Sequence, residues 1–361
     1  EELIYQCYLA TLERQHQELD ELEAQSPVPE ERIVGFLMRQ FDQWQHARNG
    51  HDVHLAALLE LASLHDEHRS AVEHAYIDLF KRLRSYLRDG MADGSLRKGD
   101  STSMTRAIIG SLDWLFHWLH SLPEEGVSAA AAQAADLLLY GLYAGPGCYR
   151  SALGPADVDR EANAGGFDRD EQNRLKQEAF YKAGTWLFNR KGFNGASLDE
   201  IAEYLNVSKG AFYYHIRNKE DLLYNCYNHS LAIVERVYRE AESAGSTGIE
   251  KIDYASRRTF LIQNSDLGPL IRYNTITALP TARRLEVLAR TDAANNHFLD
   301  FLAQGVNDGS IRPVDPLVAR NLLAGAINAS MDHPVSPLCR HAEVGMGRPS
   351  FLYRRMGIGR Y

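Results

Sequence analysis

Apolar side chains recur at steps of three and four positions along most of this chain. Residues 71–87, AVEHAYIDLFKRLRSYL, are typical, and such spacing places the apolar side chains on one side of a helix. No segment shows the strict alternation of a β-strand, so we predict an all-α fold. Proline and glycine separate the helical segments, for example at Pro29, Gly90, Gly94 and Pro123, where they favour helix ends and turns.

Two segments lack the helical spacing. Residues 144–167 are rich in glycine, proline and alanine, and we predict a linker there. Residues 334–361 are equally irregular and carry several arginines, so we predict a loose tail. The helical parts are then residues 1–143 and 168–333.

These helical parts contain an internal repeat. DGSLRKGDSTSMTRAIIGSLD, residues 93–113, aligns without a gap with DGSIRPVDPLVARNLLAGAIN, residues 308–328. The opening EELIYQCY likewise aligns with EDLLYNCY, residues 220–227. Both matches occur in the same order and at nearly the same spacing, which chance similarity between amphipathic helices does not explain. We therefore predict a duplicated unit.

Residues 168–218 have the pattern of a helix-turn-helix. A longer helix ends near Gly192, and a short one begins at Ser197, with Glu200 three positions later as in a capping box. After a tight connection, Ser208 is placed to cap another short helix, KGAFYYHI. Two short helices joined by a short turn and braced by a longer helix form this motif. Residues 219–333 then make a second helical domain.

The second short helix carries chemistry that suits DNA. A helix fits the major groove, and its first turn comes nearest the base edges. Backbone N–H groups at helix starts attract phosphate. The alternative for Tyr213 and Tyr214 is packing in the domain core. The predicted DNA-binding residues are Ser197, Ser208, Lys209, Gly210, Ala211, Tyr213, Tyr214, His215 and Lys219.

This segment resembles the DNA-binding domain of the TetR family of transcriptional regulators. Ile216 stands where that family usually has phenylalanine, and we expect packing to absorb the exchange. The matching positions are Gly192-Phe193, Ile201-Ala202, Val207-Ser208-Lys209-Gly210, Tyr213, His215 and Lys219 through Leu222.

The resemblance implies a sequence-specific regulator, most simply a repressor, with a double-stranded DNA operator and a small apolar effector as partners. Such regulators usually act as homodimers. Here the two units in tandem are expected to form an intramolecular pseudo-dimer, and further self-association stays open. Since EELIYQCY matches a helix that follows a DNA-binding domain, we expect another such domain before Glu1 in the natural protein. The copies have diverged, so we expect an operator with unlike half-sites.

The stretch SLDWLFHWLH provides the predicted ligand-binding residues. It resembles the Asn-Trp-x-x-Arg-Trp segment of TetR-like regulators of fatty-acid or sterol breakdown, some of which sense acyl-CoA esters, but it departs at Asp113 and His117. Aromatic residues at such spacing also form cores and helix interfaces. Ala329 and His333 align with the tryptophans in the second copy, so we expect the effector pocket in the first. The predicted residues are Trp114, His117 and Trp118.

Composition limits other functions. The net charge is −9, so DNA binding must rest on a local surface. The four cysteines have neither disulfide-framework nor zinc-site spacing. Histidines crowd residues 46–68, yet the zinc-protease order His-Glu-x-x-His is absent, and we predict no metal or cofactor.

No apolar run is long enough to span a membrane, and no signal peptide opens the chain. We therefore predict a cytoplasmic protein without a membrane partner. No nucleophile-base-acid set or phosphate loop supports an enzyme. The alternative is a helical small-molecule-binding protein or enzyme that keeps the helix-turn-helix as a scaffold.

Overall fold

A computed structural model describes residues 1–52, 56, 58, 61, 64–153, 169–263, 265 and 268–329. The predicted tail, His333 and residues 154–167 of the predicted linker lie outside the described residues. Helices dominate the described part, which contains no β-strand and a single isolated antiparallel bridge between Tyr143 and Ile311. The predicted all-α fold is confirmed.

The described helices of the N-terminal half are α1 (Glu2–Gln25), α2 (Pro29–Arg48), α3 (Asp66–Asp93), α4 (Ser101–Asp113), α5 (Leu115–Trp118) and α6 (Glu124–Tyr140). They are followed by α7 (Arg169–Gly195), α8 (Leu198–Tyr204), α9 (Lys209–His215), α10 (Lys219–Ala244), α11 (Gly248–Gln263), α12 (Thr281–Asn307) and α13 (Pro316–Ala329). None of these described helices combines the length and the apolar character that crossing a bilayer requires.

The chain divides into two compact units. The first contains Glu1–Ala152, Gly245–Asp253 and the described residues from Leu299 onward, and the second contains Leu153–Ala244 and Tyr254–Phe298. The chain passes from one unit to the other after Ala152, after Ala244, within α11 and within α12. The domain boundaries at residues 143, 218 and 333 stay predictions. Segments that are distant in sequence therefore share a unit.

The first unit is a helical bundle in which α1, α2, α3, α4 and α6 pack on one another. Its core is made of large side chains from several helices, including the fully buried Leu12, Leu19, Phe41 and Leu87. Apolar residues recur at helical spacing on these helices, so burial of one side of each helix accounts for the bundle. Helix α13 completes it by packing along α4.

The contact between α4 and α13 is closest at two glycines. A Cβ atom on Gly110 would lie 2.1 Å from the Cβ of Ala329 and 2.7 Å from the carbonyl oxygen of Gly325. A Cβ atom on Gly325 would lie 2.5 Å from the carbonyl oxygen of Gly110 and 2.8 Å from the Cβ of Trp114. The repeat aligns Gly110 with Gly325 and Trp114 with Ala329, so the contact is reciprocal.

The turns that precede α4 and α13 have the same backbone geometry. Each contains a glycine with positive φ, 87° at Gly94 and 76° at Gly309, a conformation that glycine adopts without steric cost. Each turn also contains the same backbone hydrogen bond between residues six positions apart. The amide of Leu96 donates to the carbonyl oxygen of Gly90, and the amide of Ile311 donates to that of Gly305, both at 2.8 Å.

The second unit holds the helix-turn-helix. Helices α7, α8 and α9 pack with the start of α10 around Phe188, Phe212, Leu222 and Leu223, all of which are fully buried. This core fixes the orientation of the two short helices. Within α7, Gly192 has the non-helical φ of 69°, so the longer helix is interrupted where the sequence predicted its end.

Candidate functional site

Helix α9 begins with a cap that the sequence predicted. The hydroxyl oxygen of Ser208 accepts a hydrogen bond from the backbone amide of Ala211 at 3.3 Å. In the preceding turn, Asn206 has a φ of 53°, and the amide of Val207 donates to the carbonyl of Ala202 at 3.0 Å. Asparagine tolerates this left-handed conformation better than most residues. The turn and cap together set the direction of α9.

The inner side of α9 packs on the second unit's core. Phe212 is fully buried, and its ring centroid lies 5.1 Å from that of Phe180 in an edge-on arrangement. Ile216, which stands where the family usually has phenylalanine, is buried as well. His215 is half-buried, with its ring 5.6 Å from that of Phe180. Burial of these side chains holds α9 in place.

The outer side of α9 is open. Tyr213 is 46% exposed and Tyr214 is 86% exposed, so neither tyrosine packs in the domain core. Lys209, Gly210 and Ala211 are exposed too, and a Cβ atom on Gly210 would meet nothing within 4 Å. One face of a short helix therefore presents an ammonium group, two phenols and a slim backbone.

Asp199 of α8 organises this face. The ammonium nitrogen of Lys209 lies 2.5 Å from one carboxylate oxygen of Asp199, and the hydroxyl of Tyr213 donates to the other at 3.2 Å. The hydrogen bond from Lys209 lowers the pKa of Asp199, and the same contact raises the pKa of Lys209. The positive charge of Lys209 is therefore partly neutralised by Asp199 within the protein.

The predicted capping box at Ser197 and Glu200 is wrong. Ser197 occupies the N-cap position of α8, but its side chain makes no capping hydrogen bond. Glu200 instead lies 2.5 Å from the ammonium nitrogen of Lys191. The carboxylate of Glu200 therefore pairs with Lys191 of α7 and does not form the hydrogen bond that the capping box requires. Ser197 is exposed at the start of α8.

Lys219 sits at the start of α10, beside the end of α7. Its ammonium nitrogen lies 4.5 Å above the ring of Phe193 and 3.4 Å from the carbonyl oxygen of Asn194. Partial burial lowers its pKa. The structure thus brings seven of the predicted residues together on α9 and its cap, with Ser197 and Lys219 on flanking helices.

Two family models match this chain. The model of bacterial regulatory proteins of the tetR family matches residues 180–225, and the model of the tetracyclin repressor-like C-terminal domain matches residues 29–142. The matched segments, residues 29–142 and 180–225, are those of a TetR-family helix-turn-helix transcriptional regulator, and this family consists of regulators rather than enzymes.

Individual relatives match smaller parts. The chain is 26% identical over 141 residues to the transposon Tn10 TetC protein of Escherichia coli. The aligned region covers 38% of this chain and 70% of that protein. It is 37% identical over 54 residues to the biofilm operon icaADBC HTH-type negative transcriptional regulator IcaR of Staphylococcus epidermidis, covering 14% of this chain and 29% of that protein.

Among solved structures, the TetR family transcriptional regulator PfmR from Thermus thermophilus is similar to this chain with a TM-score of 0.36 and 22% identity. The match covers 47% of this chain and 99% of that one.

The first unit contains a cavity at the end of α4. It has about 50 Å3 of accessible space and lies between α1, α2, α3, α4 and α5. Asp113, Leu115 and Phe116 of the SLDWLFHWLH stretch line it. The stretch that we predicted for ligand binding therefore does reach a cavity.

The three predicted ligand-binding residues take other positions. Trp118 is buried, with its ring in edge contact with that of Phe41 at 6.2 Å. Trp114 has its Cβ beside Gly325 of α13, and its ring centroid lies 4.2 Å from that of His117 in a tilted arrangement. None of the three lines the cavity, so the lining residues are their sequence neighbours. A direct role for Trp114, His117 and Trp118 in ligand binding stays a prediction.

Asp113 lines the cavity, but it is not among the ligand-binding residues predicted from the sequence. We noted it only as a departure from asparagine in the related segment. The residue is exposed and lines the cavity, and desolvation of its carboxyl group by the surrounding protein atoms raises its pKa to about 7. The available signal was a single carboxylate in the otherwise apolar and aromatic stretch IIGSLDWLF.

The histidines crowded between residues 46 and 68 form no metal centre in the described part of the chain, where no suitable group of three ligands is found. His65 and His68 instead contact the carboxylate of Glu1, at 2.7 and 3.1 Å. His54 lies outside the described residues.

Proposed function

We propose that this chain is a transcriptional repressor that binds a double-stranded DNA operator through α9. The open face of α9 carries the proposal, because it offers side chains to a duplex while the opposite face is locked in a core. Lys209 and Lys219 are suited to phosphate, and Tyr213 and Tyr214 to phosphate or base edges. Ser197, Ser208 and His215 flank that face, and Gly210 and Ala211 permit close approach. The negative regulator IcaR among the relatives supports repression.

We further propose that the two repeat units form an intramolecular pseudo-dimer. An interface with two-fold symmetry is self-complementary, so each contact occurs twice with the roles exchanged. The reciprocal packing of Gly110 against Ala329 and of Gly325 against Trp114 has this property within one chain. Two DNA-binding domains would then contact successive major grooves, about 34 Å apart.

In this proposal, a small-molecule effector binds in the first repeat unit and releases DNA. A ligand can shift the equilibrium only by its different affinity for the DNA-bound and the free state. The cavity at the end of α4 is its binding site. The operator partner places the protein in the cytoplasm, and the divergence of the copies predicts unlike half-sites.

The experiment is a gel-shift titration of the complete natural protein with its own upstream region. We expect Lys209→Gln to weaken binding and to reduce the slope of log K against log salt by about one unit, since one phosphate contact is lost. Lys81→Gln is the matched control, because Lys81 is an exposed lysine in a comparable ion pair, 3.0 Å from Asp78 on α3.

Equal binding by both variants and the wild type would contradict the assignment of α9. Absence of any sequence-specific binding would favour the alternative, in which the helix-turn-helix is only a scaffold. Footprinting adds a separate check, because a perfect palindrome would contradict the proposed unlike half-sites.

A further inference from the structure

We propose that Asn189 of α7 fixes the orientation of the helix-turn-helix by holding the backbone of residues 270–272. In this proposal Asn189 does not contact DNA and is a positioning residue for α9. As a statement about operator binding, the inference rests on the proposed function. As a statement about the orientation of α9 within the second unit, it is independent of DNA.

Residues 270–272 lie against α7 and α10 without regular secondary structure, and all three are buried. Buried backbone amides and carbonyls need hydrogen-bond partners. The described part of the chain provides no β-strand beside this segment. Side chains of the two neighbouring helices supply the partners instead.

Asn189 bonds two of these backbone groups at once. Its Nδ2 donates to the carbonyl oxygen of Leu270 at 2.8 Å, and its Oδ1 accepts from the amide of Arg272 at 2.9 Å. In a parallel sheet, a peptide group of the neighbouring strand bonds such a carbonyl and the amide two residues later. Asparagine carries a donor and an acceptor on one planar group, so the side chain of Asn189 takes the place of that peptide group.

Helix α10 holds the same segment through other groups. The hydroxyl oxygen of Ser230 accepts from the amide of Ile271 at 3.0 Å, and the hydroxyl of Tyr227 donates to the carbonyl oxygen of Arg272 at 2.8 Å. Both side chains are buried. The segment is therefore bonded to α10 by two side chains and to α7 by both polar atoms of Asn189.

The position of Asn189 connects this contact to α9. It lies three residues before Gly192, whose non-helical φ of 69° interrupts α7. The adjacent Phe188 is buried in the core that holds α9, and Ile276, shortly after the segment, enters the same core. Burial in this core has no preferred direction, whereas hydrogen bonds do. The two bonds of Asn189 are therefore suited to set the angle of α7.

The test measures the orientation of α9 without DNA. Spin labels are attached through Tyr214→Cys on α9 and Leu285→Cys on α12, two exposed positions of the second unit. All native cysteines except the buried Cys226 are replaced by serine in the complete protein. Pulsed electron paramagnetic resonance gives the distribution of distances between the labels. We expect Asn189→Ala to broaden or shift this distribution, because α7 is then released from the segment.

Ser230→Ala is the matched control. It also removes a hydrogen bond from the backbone of residues 270–272, but on the side of α10, so the bonds of Asn189 remain. Urea unfolding should show comparable losses of stability for both variants, while the distance distribution of Ser230→Ala stays as in the wild type. Asn189→Asp is a second test variant, because it places an oxygen against the carbonyl of Leu270 and should also change the distribution.

A gel shift with the unlabelled variants and the protein's own upstream region adds the functional measurement. If the binding-competent orientation of α9 falls to about a tenth of the population in Asn189→Ala, the apparent Kd rises roughly tenfold. The slope of log K against log salt should stay unchanged, since no phosphate contact is lost. Ser230→Ala should bind within about twofold of the wild type, because its α9 keeps the competent orientation.

Two results would overturn the inference: a distance distribution that neither Asn189 variant changes, or an equal change in Ser230→Ala. If the distribution changes but operator affinity does not, Asn189 positions α9 and its role in operator binding fails. If the wild type binds no DNA, the proposed function fails, and the spin-label result still decides whether Asn189 orients α9.

Discussion

Helices α4 and α13 are aligned copies of one sequence that begin alike and end differently. Both follow the same glycine turn, and both are capped by an aspartate at the preceding residue. Asp100 accepts from the amide of Ser103 and Asp315 from the amide of Val318, each at 2.9 Å. At their ends, Asp113 and Trp114 of the first copy correspond to Asn328 and Ala329 of the second.

The difference separates two tasks of the duplicated unit. The turn, the cap and the glycine are what two helices need in order to pack closely, and they are the same in both copies. The helix end decides what the neighbouring space contains, and there the copies differ in charge and size. Packing is thus shared between the copies, whereas the carboxylate that lines the cavity belongs to the first alone.

The largest expected effect comes from the glycine contact. Gly110→Ala and Gly325→Ala should each lower the free energy of unfolding by about 1–3 kcal/mol, because each new methyl group meets backbone atoms that cannot move aside. Reciprocal packing predicts similar losses for both. Urea denaturation followed by circular dichroism measures them.

Gly210→Ala is the matched control, since its methyl group would meet nothing within 4 Å and alanine favours a helix. It should cause no loss of stability. A loss at only one of Gly110 and Gly325 would show that the two sides of the contact are not equivalent.

A smaller effect is expected at the caps. Asp100→Ala and Asp315→Ala each remove a side chain that accepts from a free amide at a helix start, at a cost of about 1 kcal/mol. Thermal and urea unfolding should give nearly the same loss for both. Asp78→Ala, an exposed residue within α3, should have little effect. Clearly unequal cap losses would show that the common turn geometry does not imply common energetics.

The smallest effect is the pH dependence caused by Asp113. Its pKa is raised from 3.8 to about 7 in the folded protein, so the folded state holds the proton more tightly than the unfolded state. The stability from this group is complete below about pH 4 and is lost as pH rises through 7. Asp113→Asn, which resembles Asn328 of the second copy, lacks this loss.

The variant should therefore gain stability relative to the wild type between pH 4 and pH 8, with the gain limited by solvent screening because Asp113 is exposed. Unfolding curves at both pH values provide the measurement. A difference that does not change with pH would mean that Asp113 titrates normally.

Local motifs let the sequence predict much of the fold and the position of α9, the helix that we propose binds DNA. The cap of Ser208 and the turn glycines are satisfied within a few residues, so their sequence signals are sufficient. The box at Ser197 failed because Glu200 pairs with Lys191 on another helix, which no local pattern encodes. The role of Asp113 likewise depends on helices α1, α2 and α3, which surround it only in the folded unit.

Similar sequence does not guarantee similar burial. Leu222 and Leu223 of α10 are fully buried under the helix-turn-helix, whereas the aligned Leu3 and Ile4 of α1 are 75% and 36% exposed. All four side chains are aliphatic and therefore suited to a hydrophobic core. Only the helices packed beside them determine whether they enter one.

The carboxylate of Asp199 already gives Lys209 and Tyr213 the partner that a phosphate oxygen would give. In the proposed complex of α9 with a duplex, these bonds are exchanged rather than newly made, so binding to non-specific DNA would yield little net energy. DNA sequences that also form contacts with Tyr214 and fit closely against Gly210 and Ala211 would then bind more tightly than other sequences. The carboxylate of Asp199 would thus weaken non-specific DNA binding relative to binding at the operator.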